Sequence, residues 1–240
     1  MPTKETNLSV GQSLMSSQTR ASAPSRLPTF FSRTLLVLSV VFALIFLLSG
    51  PIPGKWPLFK VGSIALLAVL GFRANLLLGI ALSFGVLGDL LLGVTHLGPL
   101  NSEQLFLSGL VSFLVGHLVY VVMFRRAPRA KLHSVRALGV LAVIVALSSM
   151  LALLYRSLGP LLVPVVIYSV VLAAMAISAQ LAELGNTLAA IGALFFLASD
   201  AMLAISKFRA PFTASSELIW ITYYVAQFLI YRGVARALAT

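Results

Sequence analysis

The chain has 240 residues, 60% hydrophobic and only 10% charged, with a net charge of +11 and no cysteine. Soluble domains carry roughly 25% charged residues, and a mean hydropathy of +1.04 leaves too little polar surface to coat a water-soluble core. The absence of cysteine excludes a disulfide framework and a cysteine-based zinc site. The positive charges lie between apolar runs rather than on one face of a soluble fold, which argues against nucleic acid and for membrane lipid head groups as partners.

Residues 1–30, rich in Ser, Thr, Pro and Gln, lack periodic apolar positions and read as a disordered cytoplasmic tail ahead of a single transmembrane domain over 31–240. The first apolar run has no clear cleavage site and is expected to remain as a membrane helix. A bilayer core of about 30 Å needs about 20 apolar residues of helix. Eight runs answer that description: 34–49, 56–72, 74–94, 104–124, 134–155, 158–178, 186–208 and 216–236. The predicted fold is therefore all-α, a polytopic bundle of eight transmembrane helices. Gly50-Pro51-Ile52-Pro53-Gly54 breaks the first run from the second, and Gly98-Pro99 with Asn101 the third from the fourth. At Arg73 the break is so short that the sequence allows either a tight hairpin or one long kinked helix. With the N-terminus inside, twelve of the 17 Lys and Arg fall on the inner side, so both termini are expected in the cytoplasm of a cell-membrane protein.

Two segments resemble one another. Gly88-Asp89-Leu90-Leu91-Leu92 near the end of run three and Ser199-Asp200-Ala201-Met202-Leu203 in run seven each place a small residue before an aspartate, and the next run carries His117 or Gln227 at nearly equal distance. That pattern predicts two parallel four-helix repeats. Each aspartate lies about 15 residues into its run, roughly 22 Å along a helix. An ionised Asp near the bilayer centre costs roughly 2.5–3.5 kcal/mol, so both should face the bundle interior and mark function. On run four His117 and Tyr120 share a face; run eight presents Tyr223, Gln227 and Tyr231 at spacings of four with Tyr224 beside them, and Tyr168 follows Pro164 by one turn. Together these predict a polar pocket rimmed by aromatics, although any one of them also suits an interhelical hydrogen bond. Lys60 suits either snorkelling or a lipid phosphate. His96 and His133 are read as interfacial side chains, and Arg125, Arg126, Arg129 and Lys131 as a topology and head-group patch.

At these residues the sequence resembles the YhhN family of membrane proteins, which includes lysoplasmalogenases. The resemblance is carried by 83–92 around Gly88-Asp89, Gly116-His117-Leu118-Val119-Tyr120, Tyr168 with Met175, 192–203 around Ser199-Asp200, and Tyr223-Tyr224-Val225-Ala226-Gln227-Phe228-Leu229-Ile230. Lys60 resembles the lysine that opens the second helix in the family, with Val61 where a proline is usual. The resemblance implies hydrolysis of the vinyl ether of a lysophospholipid, with Asp89 and Asp200 as an acid and base pair after the manner of glycosidase carboxylates. His117, Tyr120, Tyr168, Ser199, Tyr223, Tyr224, Gln227 and Lys60 would then hold water or substrate, without cofactor or metal. Two other readings stand beside it: a metal hydrolase using Asp89, Asp200 and His117 as ligands, and a proton-coupled transporter in which the aspartates carry protons.

Overall fold

The computed structural model describes residues 29–49, 56–93 and 102–238. The tail over 1–28, the Gly50–Gly54 break, His96 and the Gly98-Pro99 break lie outside the described residues. Among the described residues eight α-helices follow in order: α1 (Thr29–Leu48), α2 (Trp56–Ala74), α3 (Leu76–Gly93), α4 (Ser102–Arg126), α5 (Ser134–Leu154), α6 (Leu162–Leu181), α7 (Leu188–Phe208) and α8 (Ser215–Ala237). Seven are long and apolar enough to cross a membrane, and α2 packs between α1 and α3 with Lys60 and Arg73 near its ends. The chain is a multi-pass membrane protein.

The ambiguity at Arg73 resolves as a hairpin. A Cβ added to Gly71 would lie 2.8 Å from Leu82 and 3.1 Å from the Cα of Gly79, whereas in one continuous helix eight residues would separate these points by roughly 12 Å. Asn75 makes the reversal: its side-chain oxygen accepts hydrogen bonds from the amides of Leu77 and Leu78, capping α3. The sixth helix starts later than its apolar run. Gly159, at φ 48°, and Pro160 form a short 3₁₀ turn before α6 begins at Leu162. Pro164 falls in the first turn of α6, where a missing amide hydrogen costs nothing.

Six helices close a ring in the order α2, α3, α4, α6, α7, α8 and back to α2, while α1 flanks α2 and α8, and α5 flanks α6 and α7. The second helix of each predicted half thus bridges to the last helix of the other half, but the first helices are placed differently, α1 against α8 and α5 against α7 rather than α4. Small residues allow the closest approaches: Gly192 faces the backbone oxygen of Ala226, and Gly233 faces the backbone nitrogen of Ala189.

One end of the bundle is basic. The α4–α5 and α6–α7 connections are tied there by Ala130 donating to Leu181 and Glu183 donating to Pro128. Arg136 reaches across them, donating to the carbonyls of Gln180 and Ala182 and pairing with Glu183 at 3.3 Å. Arg73, over the ring of Phe31, stands at the same end.

A Gly233→Ala substitution would place its Cβ 2.6 Å from backbone rather than from a yielding side chain. It should cost about 2 kcal/mol and lower the thermal midpoint of the purified protein by about 4–8 °C. An unchanged midpoint would refute the close α7–α8 contact.

Candidate active site

A polar side chain in lipid needs a partner from another helix, and every ring helix contributes to the interior. From α2, the Lys60 ammonium reaches Oδ1 of Asp89 on α3 at 2.8 Å; the lysine is 24% exposed and the aspartate 2%. The ammonium also stands 5.7 Å from the centre of the Trp220 ring. On α8, Tyr223 sits beside the same carboxylate, with its hydroxyl within electrostatic reach. The Gln227 amide donates to the Tyr223 hydroxyl at 3.4 Å, while its oxygen accepts from the Tyr120 hydroxyl of α4 at 2.7 Å. Gly85 makes room for this chain, since a Cβ there would lie 3.1 Å from both Gln227 and Tyr223.

The second aspartate is held differently. Asp200 on α7 accepts a hydrogen bond from the Tyr168 hydroxyl of α6, and no cation is paired with it among the described residues. The two aspartates are close enough to feel each other's charge. In each half, then, the second helix reaches the aspartate of the third, with an ammonium in one case and a phenol in the other. Asp200 also borders a small cavity of about 40 Å³, with walls supplied mainly by Phe106, Phe113, Met150, Leu172, Leu203 and Phe208. Apart from Asp200, Tyr168 and Ser169 its lining is apolar.

His117 lies between these groups. Its ring meets Tyr168 edge-on at 5.5 Å and Phe196 at 4.6 Å. Among the described residues, both ring nitrogens and Oδ2 of Asp89 are buried without a hydrogen-bond partner, so the interior keeps polar atoms available for a guest molecule. Phe113, Phe196 and Trp220 complete an aromatic wall around Tyr223. These three are site residues that the sequence reading missed.

Eight of the ten predicted site residues converge: Lys60, Asp89, His117, Tyr120, Tyr168, Asp200, Tyr223 and Gln227. The other two turn away. The Ser199 hydroxyl donates to the carbonyl of Ile219 and joins α7 to α8. Tyr224 shares a hydrogen bond with Ser39 of α1 at 2.8 Å, because one residue beyond Tyr223 on a helix points about 100° away. His117 shares a face with Tyr120 only in part, since Tyr120 engages α8 while His117 packs on α6 and α7. Lys60 meets a carboxylate rather than standing open for a phosphate. Among the described residues no group of three His, Cys, Asp or Glu is placed to hold a metal ion, so Asp89, Asp200 and His117 do not form the ligand set of the metal-hydrolase reading.

A ring of membrane helices enclosing two carboxylates and an apolar cavity defines a class of intramembrane polar-site proteins. Within it, the chain belongs to the YhhN family, whose model matches residues 55–234. Similar curated proteins include a lysoplasmalogenase of Mycobacterium bovis, 36% identical over 53% of this chain and 50% of its own. Human lysoplasmalogenase TMEM86B is 34% identical over 55% of each chain, and human lysoplasmalogenase TMEM86A is 34% identical over 54% of this chain and 55% of its own. The chain thus aligns with about half the length of these relatives. No solved structure matches it.

Lys60→Met leaves Asp89 buried without its cation. We expect a loss of about 2–3 kcal/mol, below the usual 3–5 kcal/mol for a fully buried pair because the lysine is partly exposed. The double variant Lys60→Met/Asp89→Asn should recover at least half of it in thermal denaturation. Equal midpoints for the single and double variants would count against a stabilising pair.

Proposed function

We propose that this protein is an integral-membrane lysoplasmalogenase that hydrolyses the vinyl ether of lyso-plasmenylethanolamine or lyso-plasmenylcholine. The products are a fatty aldehyde and glycerophosphoethanolamine or glycerophosphocholine. The reading is supported by the names of its relatives. The observation that carries the chemistry is the unequal environment of two neighbouring carboxylates, one paired with an ammonium and one with a neutral hydroxyl at the edge of an apolar cavity.

In this proposal Asp200 is the proton donor. It protonates the distal alkene carbon, and the ether oxygen shares its lone pair to give an oxocarbenium ion. Asp89, fixed by Lys60, faces that developing positive charge as an anion and orients water with Tyr223 and His117. Water adds to the oxygen-bearing carbon and its proton returns to the carboxylate of Asp200. The resulting hemiacetal then breaks its bond to the glycerol oxygen, its hydroxyl proton passing to that oxygen, and releases aldehyde. Tyr168 positions Asp200, and Tyr120 with Gln227 positions Tyr223. Orientation follows the positive-inside rule, with the basic end and both termini in the cytoplasm.

Two experiments test this reading. Purified protein given defined lysolipids with vinyl ether, alkyl ether or ester links should release aldehyde from the vinyl ether alone, and Asp89→Asn and Asp200→Asn should each lower turnover at least about 10²-fold. Normal turnover in both folded variants would remove the aspartates from the mechanism, and cleavage of the ester alone would redirect the reading to a lysophospholipase. For orientation, the natural lack of cysteine permits single-site labelling. Ala210→Cys should react with an impermeant maleimide in intact cells, and Lys131→Cys only after permeabilisation; the reverse pattern would invert the topology.

A further inference from the structure

The cavity at Asp200 has an apolar lining, and a cation stands over the ring of one of its walls. On α7, Asp200, Leu203, Ala204 and Phe208 all line it, which is the spacing of a single helical face. Lys207, seven residues beyond Asp200, shares that face. Its ammonium stands 4.9 Å from the centre of the Phe106 ring, and Phe106 is itself a cavity wall packed edge-on against Phe208 at 6.0 Å. Unlike Lys60, the lysine is exposed, and no carboxylate lies within ion-pair distance of it among the described residues. Lys207 is therefore a cation held by an aromatic ring that also forms a wall of the cavity.

The spacing has a chemical match. Asp200 and Lys207 are two helical turns apart, roughly 10 Å along the axis. In a lysoplasmalogen, seven bonds separate the alkene carbon that accepts the proton from phosphorus, roughly 9 Å when extended at about 1.3 Å of advance per bond. A lipid with its vinyl ether at Asp200 thus brings its phosphate to the end of the helix where Lys207 stands, which in the proposed orientation is the outer membrane interface.

Resting on the lysoplasmalogenase reading, we propose that Lys207 is the phosphate contact of the substrate and selects phosphate-bearing single-chain ether lipids over the corresponding phosphate-free glycerol ethers. An ammonium ordered over a ring supplies a charge-assisted contact to phosphate without first breaking an ion pair.

Binding can be read without turnover. An alkyl-ether lysophosphocholine, which lacks the alkene that would be protonated, and the matching alkylglycerol are titrated against the full chain in nanodiscs. Wild type should bind the phospholipid about tenfold more tightly than the alkylglycerol. Lys207→Met should erase that preference while leaving alkylglycerol affinity unchanged, and Lys207→Arg should keep it within about twofold. The proposal is overturned if Lys207→Met retains the preference, or weakens both lipids equally. It is also overturned if inorganic phosphate displaces the phospholipid as effectively as a second lysophospholipid does, since the site would then serve the free ion. Aldehyde release by wild type is a separate measurement: its absence would sink the lysoplasmalogenase reading, whereas retained phosphate preference in Lys207→Met would sink only the role of Lys207.

Discussion

A charge inside hydrocarbon must be answered from within the protein, and the arrangement of this bundle follows from how Asp89 is answered. Its counter-charge comes from the neighbouring helix, so α2 and α3 have to lie antiparallel and close, which the Gly71 and Gly79 contact permits. The pair is then covered by Trp220 and Tyr223 of α8, which draws the last helix back onto the first half and closes the ring. Burying an ion pair is seldom a net source of stability. Here it fixes which faces of α2, α3 and α8 turn inward, and the lipid-facing surfaces can remain almost featureless as a result.

Much of this is legible in the sequence because lipid makes polar residues conspicuous. Asp89, His117, Asp200, Tyr223 and Gln227 stand out in apolar runs, and a side chain that cannot face lipid has only the interior to face. Legibility ends where identity no longer implies direction. Ser199 and Tyr224 are as polar as their neighbours, but one satisfies a backbone carbonyl and the other a serine on α1, choices made by packing rather than by composition. Phe113, Phe196 and Trp220 wall the site yet are indistinguishable in sequence from ordinary core. The late start of α6 was hidden for another reason: hydropathy does not register that Gly159 and Pro160 divert the backbone.

The predicted repeat bears on the meaning of the two aspartates. Because α2 and α6 occupy corresponding places in the ring, Lys60 and Tyr168 are corresponding partners, each reaching the aspartate of the helix that follows. A duplicated arrangement supplies two carboxylates close together at matched positions in the ring. By itself it also makes them equivalent, and equivalent carboxylates serve acid–base chemistry poorly, because one must donate a proton while the other stays an anion. Replacing one partner by an ammonium and the other by a phenol breaks that equivalence with a single difference on the supporting helix. Among the described residues the apolar cavity is lined by Asp200 and not by Asp89, which in the proposed reaction sets the vinyl ether against Asp200. On this argument the partner residues are the informative ones. Exchanging the character of Lys60 and Tyr168 should disturb the proposed division of labour between Asp89 and Asp200 more than it disturbs the fold around them.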